Sequence, residues 1–304
     1  MRKQFIQTLI ELAEQDARVV LLTADLGYTV LEPFAEKFPD RFFNVGVAEQ
    51  NMIGLAIGLA EAGYMPFVYS IATFVSLRPY EFIRSAVAHQ YPIRIIAVGG
   101  GYEYGSAGIT HHALEDIGVM RVQPDLSIFT PADANQARTI LLKTWDMPSA
   151  IYYRIGKNDH KTVPGLDGDF EVGRVQTISH GTDALILASG AISTEVSQAV
   201  ALLQNENTHV TMSVVSSIAP IPETDLLTLL RSTKLVFTVE THYITGGLGS
   251  LIAEIIAENA LSTRLIRCGI KKSSDGITGS EQFLLRKNNL DAQSLAHTIK
   301  NELT

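Results

Sequence analysis

At 304 residues the chain is long enough for two ordinary domains, each with its own core, and 46% hydrophobic against 18% charged residues describes a compact, well-buried protein. Lys and Arg number 24 against 32 acidic residues, a net charge of −8, and no basic patch argues otherwise, so neither nucleic acid nor an anionic membrane surface is an expected partner. No apolar run approaches the ~18 residues of a membrane span, and the single cysteine, Cys268, rules out an internal disulfide and suits a reducing compartment, so the cytoplasm is the expected location.

The opening MRKQFIQTLIELAEQD sets Phe5, Ile6, Leu9, Ile10 and Ala13 at helical spacing among polar residues, which predicts an amphipathic helix rather than a signal peptide. Segments rich in Val, Ile and aromatics then alternate with helical patterns. Residues 19–23, 42–46, 65–69, 93–98, 127–130 and 150–154 read as strands of a parallel sheet covered by helices. Thr130, Pro131 and Asp133 supply an N-cap, a first-turn proline and an acid for the helix that follows.

Residues 157–173, KNDHKTVPGLDGDFEVG, are polar and turn-rich without a sustained period, which marks a boundary between domains at 1–165 and 166–304. In the second unit, strands are expected at 184–189, 210–215, 235–240 and 264–268, and helices near 194–204, 223–231, 250–259 and 291–303. The fold class is therefore α/β, two doubly wound domains with the second smaller. The Gly246-Gly247-Leu248-Gly249-Ser250 turn between a strand and a helix offers amides to a phosphate, but it is neither a dinucleotide nor a Walker sequence, and a tight architectural turn is the favoured reading.

The chain is organised around residues 42–63, FFNVGVAEQNMIGLAIGLAEAG, where an apolar run turns at Gly46 into a Gly- and Ala-rich helix opened by Glu49. Gly54 and Gly58 share a face of that helix and permit close approach to a sheet or another chain. Glu49 is either a half-buried functional carboxylate or a solvated first-turn acid beside the helix dipole. In order, GVAEQNMIGLAIGLA, then ATF at 72–74, then GITHH at 108–112 resemble the pyrimidine-binding half of thiamine-diphosphate enzymes of the transketolase type, and the resemblance covers nearly the whole chain.

That resemblance implies thiamine diphosphate as the cofactor, which supplies the carbanion chemistry. Glu49 matches the carboxyl that shares a proton with pyrimidine N1′, and Phe74, otherwise an ordinary core residue, matches the stacking phenylalanine. Ile71 takes the place of a second pocket aromatic, and Asp25, otherwise a loop cap, matches an acid near the cofactor. A histidine pair by itself is a metal site, a proton relay or loop polarity, with metal the weakest option. By resemblance His111 stabilises substrate oxyanions and moves protons, and His112 stands where the family often has Gln. Arg154, Thr29 and Arg2 match positions that contact the sugar phosphate, although an Arg2 near the terminus is equally a solvated cation.

The chain also departs from the family. Gly100 aligns opposite an aspartate that contacts a donor hydroxyl, and Tyr91 aligns with a phosphate-contacting histidine. The string GDG, which with a following asparagine holds Mg²⁺ and the diphosphate in full-length transketolases, is absent, and Asp167-Gly168-Asp169 lacks its strand-to-helix setting. The expectation is the carboxy-terminal subunit of a split transketolase, acting on sugar phosphates, with Mg²⁺ ligands on a separate pyrophosphate-domain subunit and two copies of each subunit in the assembly. The alternatives are the beta subunit of a 2-oxoacid dehydrogenase, deoxyxylulose-phosphate synthase chemistry, and a non-catalytic scaffold of the same fold.

Overall fold

In the computed structural model, which describes residues 1–273 and 275–303, strands and helices alternate through the first half of the chain. The order is α1 (Arg2–Gln15), β1 (Val19–Thr23), α2 (Glu32–Lys37), β2 (Phe42–Asn44), α3 (Glu49–Glu61), β3 (Met65–Ile71), α4 (Ala72–Leu77), α5 (Tyr80–Ala88), β4 (Arg94–Val98), α6 (Asp116–Arg121), β5 (Ser127–Phe129), α7 (Ala134–Thr144) and β6 (Ile151–Ile155). The second half continues with β7 (Gln176–Ser179), β8 (Ala184–Ala188), α8 (Ser193–Asn205), β9 (Val210–Val214), β10 (Ser217–Ala219), α9 (Glu223–Arg231), β11 (Leu235–Tyr243), α10 (Leu248–Glu258), β12 (Arg264–Ile270), α11 (Glu281–Lys287) and α12 (Ala292–Leu303).

Two mixed, mainly parallel sheets result. The first runs β10-β5-β6-β4-β3-β1-β2 and the second β12-β11-β8-β9-β7. Strands β1, β3, β4 and β6 are buried along their whole length, which is why they read as continuous apolar runs. Their side chains alternate between faces. Val20, Leu22, Val68, Ile95 and Tyr152 pack with Met52 and Ile53 of α3 and Ile83 of α5. Val19, Leu21, Phe67, Ile96 and Tyr153 pack with Phe5, Ile6 and Leu9 of α1 and Ile140 and Leu141 of α7. The first of these clusters extends into the second half of the chain through Leu185, Leu187, Val236 and Leu248.

Several details differ from the sequence expectations. Strand β10, only three residues long and without period, pairs antiparallel with β5, so the second half of the chain supplies an edge strand to the first sheet. The N-cap of α7 is Asp133, whose carboxylate accepts from Gln136 N at 2.9 Å, rather than Thr130. Thr130 is buried and its hydroxyl meets that of Ser189 at 2.7 Å. On α3, Gly54 packs against Phe82, whereas a side chain at Gly58 would meet nothing within 4 Å, so within the chain only the first of the pair serves close packing.

Candidate active site

The carboxyl ends of the parallel strands of the first sheet face the same way, and the segments that leave them carry most of the expected residues. Asp25 follows β1, Glu49 follows β2, Phe74 follows β3, His111 lies in the segment after β4, and Arg154 sits near the end of β6. Tyr91 instead precedes β4, at the opposite end of the sheet, where it stacks on His89. That placement corrects the alignment of Tyr91 with a substrate-contacting histidine.

Glu49 is the first residue of α3 and is 3% exposed. Its Oε2 accepts from Arg78 Nη1 at 2.6 Å, and the Ser70 hydroxyl donates to Oε1 at 3.4 Å. The Arg78 guanidinium lies 4.0 Å from the centre of the half-buried Phe74 ring. The His111 ring meets Phe74 edge-on, with centroids 5.0 Å apart. Glu49, Arg78, Phe74 and His111 thus form one continuous group in which a buried carboxylate, a flat aromatic face and an imidazole converge. Ile71, 7% exposed, ends β3 immediately before α4.

His111 is partly exposed, and its Nδ1 lies 3.0 Å from the Thr110 hydroxyl. Burial, with help from His112 and the Arg78 cation, holds its pKa below the ordinary histidine value, so the ring is neutral at pH 7. The segment that carries it is pinned at its base by paired hydrogen bonds between Gly101 and Ala113, at 2.7 and 3.0 Å. His112 turns inward. It is 3% exposed, its Nε2 donates to Gly105 O at 3.2 Å, and its ring packs edge-on to Tyr102. In that position it braces the segment.

The expected phosphate contacts do not converge. Arg154 is buried, and its guanidinium donates to Asp116 at 2.8 and 3.0 Å, to Ala113 O at 2.9 Å and to Thr241 O at 3.1 Å. It therefore ties β6 to α6 and to β11. A Cβ at Gly100 would lie 2.4 Å from its guanidinium carbon, so Arg154 in this position leaves no room there for the aspartate expected by alignment. Arg2 donates to Lys157 O at 3.2 Å and lines a cleft of about 340 Å³ with Glu103, Lys157, Asp159 and Glu281. In that cleft burial and the neighbouring Glu281 push the Glu103 carboxyl up to about 7. Thr29 is exposed and lies in a groove between α1 and α2 lined by Lys3, Ile6 and Pro33. Asp25 accepts from Asn44 Nδ2 at 3.0 Å and from Tyr28 Oη at 2.9 Å, which hold its carboxyl below the usual range.

The turn 246–250 holds a carboxylate of the chain itself. Glu240 accepts from Leu248 N at 2.7 Å and Gly249 N at 2.8 Å, and a side chain at Gly247 would collide with its Oε2. The amides at the start of α10 are thereby occupied, in agreement with the architectural reading of this turn. Among the described residues no group of three or more His, Cys, Asp and Glu side chains could hold a metal ion. No helix of the structure is long and apolar enough to cross a membrane.

Sequence reasoning missed Arg78, Ser70, Asn44 and Asp116. Arg78 carried a signal, since it follows Phe74 by four residues, the spacing that brings two side chains together across a helical turn.

Comparison with known proteins identifies the family. Residues 1–158 match the transketolase pyrimidine-binding domain and residues 173–286 the transketolase C-terminal domain. A putative transketolase C-terminal section from Methanocaldococcus jannaschii is 36% identical, with 100% of this chain and 96% of that protein covered. A subunit of the apulose-4-phosphate transketolase of Phocaeicola vulgatus is 34% identical, with 98% and 95% covered. A solved structure described as a split gene transketolase, inactive beta4 tetramer, superposes with a TM-score of 0.89 at 33% identity, covering 99% of this chain and 97% of that one. The chain belongs to the transketolase family and consists of its pyrimidine-binding and C-terminal domains.

Proposed function

We propose that this chain is the pyrimidine-binding subunit of a two-subunit transketolase, which moves a two-carbon ketol unit from a ketose phosphate to an aldose phosphate. The observation that carries the reading is the buried Glu49 carboxylate beside the half-buried Phe74 ring and the neutral His111. These residues fit thiamine diphosphate. A carboxyl shielded from water is suited to share a proton with N1′ of the aminopyrimidine, and the Phe74 ring offers a stacking surface for it. The cofactor, with Mg²⁺, supplies the carbanion chemistry when bound.

Glu49 holds the proton shared with the pyrimidine, and Phe74 orients that ring. His111, whose ring meets Phe74 edge-on and whose pKa lies below the ordinary histidine value, would move the proton on the substrate oxygen as the donor carbon–carbon bond breaks and the acceptor bond forms. Arg2 and Lys157, which border one cleft, are the chain's better placed cations for a sugar phosphate, since Arg154 is engaged internally. By their places at the end of β3 and after β1 we assign Ile71 and Asp25 to the surroundings of the cofactor, with His112 bracing the segment that carries His111 and Thr29 lying apart in its own groove.

Magnesium ligands and the diphosphate site are assigned to a partner chain, because this one lacks the GDG string and its relatives of nearly equal length are named as subunits or sections. An assembly of two copies of each subunit fits the exposed apolar side chains of Phe43 on β2, Val47 in the turn that follows and Leu55 on α3, and a cytoplasmic location follows from sugar-phosphate metabolism. The test is a tagged pull-down of the chain from its own cells. A stoichiometric partner carrying GDG, and ketol transfer by the pair with no consumption of pyruvate, are expected. A complex that releases carbon dioxide from pyruvate would overturn the assignment in favour of a synthase or 2-oxoacid dehydrogenase, and self-association alone would favour a scaffold.

A further inference from the structure

The contacts of Arg78 duplicate those required of the cofactor. Its guanidinium carbon lies over the Phe74 ring, 4.0 Å from the ring centre, within cation–π range. The same guanidinium donates to Glu49 Oε2 at 2.6 Å, so it satisfies the carboxylate that the pyrimidine nitrogen must reach. An aminopyrimidine placed on that face of Phe74 and against Glu49 Oε2 would compete with Arg78 for both contacts.

We propose that Arg78 is a placeholder for the aminopyrimidine: it occupies the stacking face of Phe74 and the free lone pair of Glu49 until the cofactor displaces it. The inference rests on the thiamine-diphosphate reading above. Without a partner a carboxylate as buried as Glu49 is costly, and Arg78 removes that cost in the cofactor-free chain. The arginine can leave readily. It lies at the C-cap of the short α4, its side chain is 45% exposed, and its guanidinium has no other hydrogen-bonding partner among the described residues. Displacement also exposes Glu49 Oε2, the carboxylate oxygen that Arg78 engages, to the aminopyrimidine. Arg78 is therefore a positioning residue that sets cofactor affinity through Glu49 and Phe74, rather than a catalytic one.

The experiment is a calorimetric titration of thiamine diphosphate, in the presence of Mg²⁺, into the complex of this chain with its co-purified partner, comparing wild type with Arg78→Met. Methionine keeps the aliphatic stem and removes the competing cation. Affinity is expected to rise about two- to fivefold, the scale of one partly exposed ion pair. Unchanged or weaker binding by the variant, with the wild type binding normally, overturns the placeholder and makes Arg78 either irrelevant or a direct cofactor contact. Failure of the wild-type complex to bind thiamine diphosphate overturns the functional reading itself. If Arg78→Met does not yield folded complex, Arg78→Lys provides the same test. It keeps the charge but loses the flat stacking surface, so a smaller rise in affinity supports the inference and a fall refutes it.

Discussion

Replacing Asp116 with Asn tests whether Arg154 is a strut between the two halves of the chain. The Arg154 and Asp116 side chains are 7% and 1% exposed. Asp116 takes both guanidinium bonds and a third from the Tyr152 hydroxyl at 2.8 Å, while Arg154 Nη2 also reaches Thr241 O in β11. An asparagine presents one oxygen and one N–H₂ group to the same donors, leaving a buried cation without its counter-charge. Breaking such a pair from one side costs about 3–5 kcal/mol. At ~2–4 °C per kcal/mol for a large domain, the midpoint of thermal unfolding falls by on the order of 10 °C. The sign of the pH dependence follows from two opposed causes. Burial, the largest single cause, disfavours the Asp116 carboxylate, but Arg154 together with His242 and the Tyr152 hydroxyl outweighs it, so the folded pKa lies below the ordinary value. The stabilisation is then fully present above the unfolded pKa of ~3.9 and is lost as pH falls through the folded value. Circular-dichroism melts of the wild type and Asp116→Asn are therefore expected to differ by a constant gap from pH 5 to 8, with the gap narrowing toward pH 3. A midpoint within 2 °C of wild type at pH 7, together with an altered KM for the phosphorylated substrate, would show that Arg154 is a phosphate hook and refute the strut.

Glu49→Gln is expected to lower ketol transfer by the assembled complex by roughly 10²–10⁴-fold while the melting temperature of the chain stays near wild type; a rate within tenfold of wild type removes Glu49 from the mechanism. For His111→Asn a comparable loss in kcat is expected with little change in KM. Because His111 titrates below the ordinary value of ~6.5 and acts as the neutral ring, activity should fall on the acid side of that value, and this limb should vanish in the variant. An acid limb that survives in His111→Asn assigns the titration to another group.

Much of the fold was legible because a buried parallel strand leaves its mark within a few consecutive residues. Residues 19–23 and 223–231 coincide with β1 and α9, and Glu49, Phe74 and His111 each sit on an order-preserving motif of local spacing. What escaped depends on partners far apart in the chain. Strand β10 exists only because β5 offers it an edge, and three residues carry no period of their own. Whether Thr130 or Asp133 caps α7 was decided by Ser189, 59 positions away, which draws the Thr130 hydroxyl into the interior.

Arginine is the residue type whose target the sequence pattern leaves most open, and the reason is physical. A guanidinium has five donors and no local preference for where they go, so a motif fixes its place on the backbone but not its target. At the end of β6, Asp116 and two carbonyls claim Arg154 before any ligand can, and Gly100 is small because that side chain lies against it. Arg78, which no family motif singled out, instead reaches the one buried carboxylate on which the proposed chemistry depends. A carboxylate constrains its neighbourhood differently, since it must be answered by donors wherever it is buried. Glu49 and Asp116 each collect an arginine, and Glu240 collects two backbone amides. Buried acids are therefore the better starting points for reading this chain, and the cations are best assigned only after each buried acid has been given its donors.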